Sequence, residues 1–374
     1  GPHGMIRLQR TCLAASGAGL GGRRMLSSQA VALVDIALPS RTGESDAVWA
    51  AKVLDAGMVP SWTPKSTAVV AGSSASVSFP RIDSPSSIFP LAVFGTSNLD
   101  RSCRYASKRM GATLSRGGGQ GVQPEHAFVQ SPGGATFALM HRFRRAQLAT
   151  LVLAVKDLDE SVHFWEHCVG MPSVGDVGTL RANEAVLQRA TDRVLAAGGD
   201  KRAQAEALAE AAGASEAGWV DTPGAAAPMP LPLEVMHAVG QHSDSIVSQS
   251  VAGRRFRVLC GGQPRTAASV MLLEAPDAFS DRPVDEPMSP APWTAGEATV
   301  SVRVPFITEC YGWIARRPEA EVDPDFDEEA VLAATASSLE EGRRGNAQGV
   351  DTTVPPLWAT DLDGNYLRLV QAGR

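Results

Sequence analysis

The sequence predicts an α+β protein made of four βαβββ units, and three observations predict it. A cycle of apolar strand-like run, short helix, paired Gly and Met, and further strand-like runs recurs along the 374 residues. The wording at the start of the second helix, N-L-D-R-S (98–102), returns at the third as D-L-D-E-S (157–161). Near the C-terminus, D-L-D-G-N places Asp363-Gly364 between two strand-like runs, a strong hairpin signal.

The third unit is written most clearly. Leu151 to Val155 is an apolar, β-branched run that reads as a buried strand. Lys156 to Asp159 breaks it, and Asp159 or Ser161 is available to cap the helix that follows. That helix carries Val162, Phe164 and Trp165, and stops at Gly170, which suits a left-handed C-cap. An apolar aromatic pair on so short a helix is expected to be buried against the sheet.

The first unit reads as a strand over 31–38, a helix over 45–56, Gly57-Met58 and strands over 59–63, 66–72 and 75–81. The second restarts at 89–96, continues through a helix to Met110-Gly111, and has strands over 112–116, 126–130 and 135–140, the last entered through S-P-G-G. The third is stretched by an insertion of two Ala-rich helices (183–213), with strands over 231–238, 254–260 and 268–274. A proline-rich linker (275–296) leads to the fourth. That unit has a strand over 298–304, a helix near 307–315, an acidic insertion continuing as a helix to Glu341, and strands over 353–359 and 365–371.

Composition narrows the possibilities. Hydrophobic residues make up 44% and charged ones 20%, an ordinary globular balance. Gly1 to Gly4 read as the scar of a cleaved purification tag, and Met5 to Val34 holds Arg7, Arg10, Arg23 and Arg24 but no acidic residue, which is the composition of a mitochondrial transit peptide. A cut between Met25 and Leu26, two residues after Arg24, is the expected processing site, so residues 1–28 are set apart from the fold. Without those four arginines 30 basic and 40 acidic side chains remain, and a net charge near −10 argues against a nucleic-acid partner. No apolar run is long enough to span a bilayer. The five cysteines are scattered without C-x-x-C spacing and read as reduced thiols.

V-K-D-L-D-E-S-V-H-F-W-E-H-C-V-G-M (155–171), together with D-L-D-G-N-Y-L-R-L-V at the end of the chain, resembles the vicinal-oxygen-chelate superfamily of glyoxalase I and its relatives. The resemblance covers most of residues 30–374. It implies four βαβββ modules in two pairs, expected at 29–145 and 146–374, with the helical insertions outside the pattern. In that family paired modules curl into cups around a cavity.

The resemblance also implies a chemistry. Glyoxalase-type enzymes hold a divalent metal with His, Gln and Glu from the first and last strands of paired modules, so that an enediolate can be stabilised. Counted onto this sequence, the first-strand positions fall on Thr150 and Thr299, and the last-strand positions on Ala138, Met271 and Arg368. Hydroxyls, alanine and methionine are poor ligands for such an ion, and arginine repels it. The expectation is therefore a degenerate metal site with no cofactor and no standard glyoxalase I activity. Thr150, Thr299, Met271 and Arg368 are the candidate cavity residues, with Arg368 binding an anion.

The alternative is an active metal-dependent lyase, isomerase or dioxygenase with a divergent ligand set. L-E-V-M-H-A-V-G (233–240) resembles the glyoxalase strand that supplies a metal carboxylate, which would make Glu234, with His237, ligands for Zn, Ni or Fe. The expected partner is a small anionic metabolite or another protein. Three other motifs read as structural. His163-x-x-Glu166-His167 fits an inverted zinc-protease pattern but sits on a short polar helix face. Gly117 to Gly121 lacks the Lys-Ser/Thr of a phosphate loop, and 319–329 lacks the spacing of a calcium loop.

Overall fold

The chain is described here from a computed structural model, which covers residues 31–60, 67–70, 75–81, 90–117, 126–141, 147–179, 254–261, 267–276, 300–341 and 349–373, with isolated positions 192, 196 and 200. The first module comprises β1 (Ala32–Ala37), α1 (Glu44–Leu54), β2 (Gly57–Pro60), β3 (Thr67–Val70) and β4 (Ser76–Ser78). The second comprises β5 (Leu91–Thr96), α2 (Leu99–Lys108), β6 (Ala112–Gly117), β7 (His126–Gln130) and β8 (Thr136–His141). The third has β9 (Gln147–Val155), α3 (Leu158–Phe164), a π-helical turn (Trp165–Val169), β10 (Ser173–Thr179), β11 (Arg255–Leu259) and β12 (Ser269–Glu274). The fourth has β13 (Val300–Val304), α4 (Ile307–Ile314), α5 (Glu328–Glu341), β14 (Leu357–Thr360) and β15 (Tyr366–Gln371). The α+β class and the modular plan are as the sequence predicts.

Local chemistry accounts for the element ends. Asn98 caps α2 by accepting from the Arg101 amide at 2.9 Å. Asp157 caps α3 by accepting from Glu160 at 3.0 Å, so the cap lies two residues before the expected Asp159. Gly170 closes the third helix at φ 80°, and Gly364 turns the last hairpin at φ 78°. Phe164 and Trp165 are fully buried. The first of the three later strands in the third module is β10, while the expected strand 231–238 and helices 183–213 lie outside the described residues. In the fourth module the corresponding strand is reduced to one bridge, Val322 against Ala359.

The strands form two sheets, ordered β14-β15-β13-β1-β4-β3-β2 and β10-β11-β12-β9-β5-β8-β7-β6. The cups are therefore shared by the first and fourth modules and by the second and third, a correction to the expected sharing within 29–145 and within 146–374. In the first sheet β1 runs antiparallel beside β13, and in the second β5 runs antiparallel beside β9. Connection length explains the exchange. Only 142–146 separate β8 from β9, which keeps the second and third modules in one sheet, whereas 79–90 give the chain enough length to cross between sheets after β4.

Sequential modules meet instead through helices and turns. One continuous core joins Trp49, Val53 and Leu54 of α1 to Leu99 and Ala106 of α2, and Phe164 and Trp165 to Ile307 and Ile314 of α4. Two buried carboxylates fasten these contacts. Asp46 of α1 accepts from Ser40 (2.6 Å), Thr42 (2.8 Å), the Gly133 amide (3.1 Å) and Ser131, the last two in the S-P-G-G turn of the second module. Asp363, in the last turn of the fourth module, accepts from Ser161 of α3 at 2.8 Å and from the Lys156 amide at 2.7 Å. The same helix-to-turn link thus occurs twice, with serine and aspartate exchanged. No helix among the described residues is long and apolar enough to cross a membrane.

Candidate functional site

Alternation along each strand sends one set of side chains to the helices and the other to the concave face of the cup. In β1 a bulge interrupts this alternation: Leu33 is opposite Val302 and Asp35 opposite Ser301, so two residues of β1 span one of β13. Leu33 and Ile36 both join the helix-side core, and Val34 instead clusters with Val350 and Val370. The bulge thereby turns Asp35 onto the concave face.

Asp35 begins a polar row across that face. It is opposite Ser76 on β4 and Ser301 on β13; Ser301 is opposite Arg368 on β15, which is opposite Trp358 on β14. Asp35 is 4% exposed and Arg368 5%. The Asp35 carboxylate accepts from Ser76 and, at 3.2 Å, from Ser78. Burial pushes its pKa up to about 7 against the opposing pull of the Ser76 hydrogen bond, the Arg368 charge and Ser78. Arg368 is moved the opposite way, down to about 10, by burial, with Asp35 opposing. The Arg368 guanidinium lies 5.7 Å from the Trp358 ring centroid, in cation–π range. Arg303, two residues after Ser301 on the same face, is half-buried and is also lowered by burial.

The equivalent row of the other cup is nearly apolar. Phe128, Ala138, Val93, Thr150 and Ser269 stand opposite one another in turn across β7, β8, β5, β9 and β12. All are buried, and the Thr150 and Ser269 hydroxyls satisfy each other at 2.7 Å.

This arrangement separates the expected site residues. Arg368 does face the concave side of a cup, but its neighbours are Ser301, Trp358 and Asp35. Thr150 belongs to the other sheet, so it is no hydroxyl partner of Arg368; the exchanged module pairing is the reason. Met271 is fully buried opposite Val152, one step along from the Thr150 row, where Ser269 stands instead. Thr299, Glu234 and His237 lie outside the described residues. Sequence reasoning missed Asp35, Ser76, Ser78, Ser301, Arg303 and Trp358. The available signal was a lone acidic residue inside the apolar run V-A-L-V-D-I-A-L, since a carboxylate buried in a strand requires partners.

The described residues contain no group of three or more His, Cys, Asp and Glu that could hold a metal ion. Among the described residues, the Arg368 charge beside Asp35 opposes a cation in the first cup, and the Thr150 row of the second offers two hydroxyls. His163 and His167 lie 4.3 Å apart between ring centroids, tilted by 58°, on the exposed side of the third helix.

No protein-family profile and no curated relative matches the chain. Solved structures do. Glyoxalase I from Zea mays is similar at 11% identity over 91% of this chain and 92% of that one, with a TM-score of 0.47. A single-residue variant of the same maize enzyme is similar at 10% identity over 93% of this chain and 96% of that one, TM-score 0.49. A putative dioxygenase from Bacillus subtilis is similar at 8% identity over 91% of this chain and 85% of that one, TM-score 0.43. Four βαβββ modules shared between two cups give the protein a glyoxalase-type, vicinal-oxygen-chelate fold, and at these identities the likeness is one of fold alone. The expectation of a chain without a cofactor is withdrawn: the structures it resembles in fold are glyoxalase I and a putative dioxygenase.

Proposed function

We propose that the protein is a glyoxalase-fold binder of a small anionic metabolite, without lactoylglutathione lyase activity, and that the concave face shared by the first and fourth modules is its site. The observation that carries this reading is the row Ser76, Asp35, Ser301, Arg368 and Trp358, with Arg303 beside it. Among the described residues, two guanidiniums share this face with one carboxylate whose own charge is disfavoured by burial, which supports an anion as the ligand. Lactoylglutathione lyase activity is left out of this reading because Thr150, Ala138, Met271 and Arg368 differ from the residue types that the resemblance implies at those positions.

Within the superfamily, S-P-G-G-A-T-F-A-L (131–139), followed by L-A-V-K-D-L-D-E-S (153–161), most resembles glyoxalase domain-containing protein 4. The Arg-rich, acid-free stretch after Met5 supports a place in the mitochondrial matrix. Calorimetric titration of the protein with a panel of small carboxylates and phosphates tests the reading. Saturable binding that is lost in Arg368→Gln supports it, and binding of every anion equally by parent and variant contradicts it. A lactoylglutathione lyase assay that gives turnover contradicts the second half.

A further inference from the structure

We propose that His163 and His167 form a chelate for a borderline divalent ion, Zn²⁺, Ni²⁺ or Cu²⁺, on the exposed side of the third helix. None of the residues of the concave row takes part in it.

The backbone brings the pair together. Leu158–Phe164 is α-helical, and Trp165–Val169 forms a π turn. An α-helix carries the residue four positions on slightly past one full turn, whereas a π turn winds more slowly. Across the junction His167 therefore comes close above His163. Their imidazole centroids are 4.3 Å apart, with the ring planes tilted by 58°. The same stretch keeps Phe164, Trp165, Cys168 and Val169 buried. The core thus takes its apolar side chains from this turn and leaves the two histidines side by side in solvent. Single π turns are uncommon, and they occur frequently at functional sites.

The chemistry of the pair selects the ion. Both rings are exposed, and among the described residues neither has a hydrogen-bond partner. A neutral imidazole carries one nitrogen lone pair that can ligate a metal. Two histidines four residues apart on one helix face have the spacing that holds zinc in helical sites. Imidazole suits Zn²⁺, Ni²⁺ and Cu²⁺, while Mg²⁺ and Ca²⁺ take oxygen ligands. The local charge agrees. No Lys or Arg stands between Asp157 and Ser173, while Glu160 lies three residues before His163 and Glu166 one before His167. Arg317, just past α4, donates to the Cys168 sulfur. Glu166 is not a third ligand, because its carboxylate accepts from the Ser173 amide at 3.2 Å. That bond also occupies the group that would serve as general base in a zinc protease, so the pair binds an ion without that chemistry. Water fills the remaining positions, since this side of the helix is open to solvent.

Calorimetric titration of the full chain with Zn²⁺, and electron paramagnetic resonance with one equivalent of Cu²⁺, test the chelate. The parent should bind Zn²⁺, and its copper spectrum should show two coordinated imidazole nitrogens. His163→Ala and His167→Ala should each weaken Zn²⁺ binding about tenfold or more, since either removes the second, intramolecular ligand. Each should also leave one such nitrogen in the copper spectrum. Both side chains are exposed, so the metal-free unfolding midpoints of the variants should match the parent's, and Zn²⁺ should raise the parent's midpoint above theirs. Zn²⁺ binding and a two-nitrogen copper spectrum that both variants retain in full overturn the chelate, as does a parent that binds neither ion.

Discussion

Arg368 of the last strand and Asp35 of the first face the same cup with only Ser301 between them, and each acts on the other's charge. More than three hundred residues of chain separate them. They meet because the fourth module returns to pair with the first and because a bulge in β1 turns Asp35 inward. Attraction between buried opposite charges is weak evidence of stability on its own, since desolvation offsets it.

That desolvation sets a pH dependence. Asp35 is raised from an ordinary 3.8 to about 7 in the folded chain. Its bound proton therefore contributes stability that is full below pH 3.8 and is lost as pH rises to about 7. Urea unfolding across that range should show the parent losing stability relative to Asp35→Asn. Parallel curves for the two proteins would contradict the buried, raised carboxyl.

Trp165 is fully enclosed between the third helix and the sheet, in contact with the core that reaches α4. Trp165→Ala should cost about 3–5 kcal/mol in denaturant unfolding. A loss under about 1 kcal/mol would mean that the site collapses without penalty.

Asp46 links the first module to the second through Ser131 and Gly133. Asp46→Ala leaves three hydroxyls and one amide without their acceptor and should cost about 2–4 kcal/mol. A side chain at Gly133 would overlap Ser40, Thr42 and Asp46, so Gly133→Ala should destabilise as well. Unchanged unfolding midpoints for both variants would remove the link from the account.

If residues 5–25 direct the protein to mitochondria, the protein isolated from that compartment begins near Leu26. Intact-mass measurement decides this, and Met5 at the terminus of native protein would end the assignment.

The fold was legible where local chemistry is strong. The Gly170 stop, the Asp363-Gly364 turn and the apolar helix pair Phe164–Trp165 all stand where sequence rules place them. The cap of α3 was displaced by two residues because Asp157 and Asp159 offer the same chemistry. Module pairing was not legible, because which sheet edge a module joins is decided by connection length and by packing across the core. The site followed the same division. Arg368 could be assigned to a concave face from its strand alone, yet its partners depend on pairing and on a bulge, and neither leaves a sequence signature that distinguishes Asp35 from an error in alternation.

The central claim is that the cup of the first and fourth modules binds anions through Arg368. The ¹H–¹⁵N signal of the Arg368 Nε–H group, assigned by its loss in Arg368→Gln, reads this directly during titration with pyruvate. The account predicts a saturable shift of that signal, accompanied by the Trp358 indole. A signal that stays fixed while the protein binds pyruvate elsewhere would contradict it.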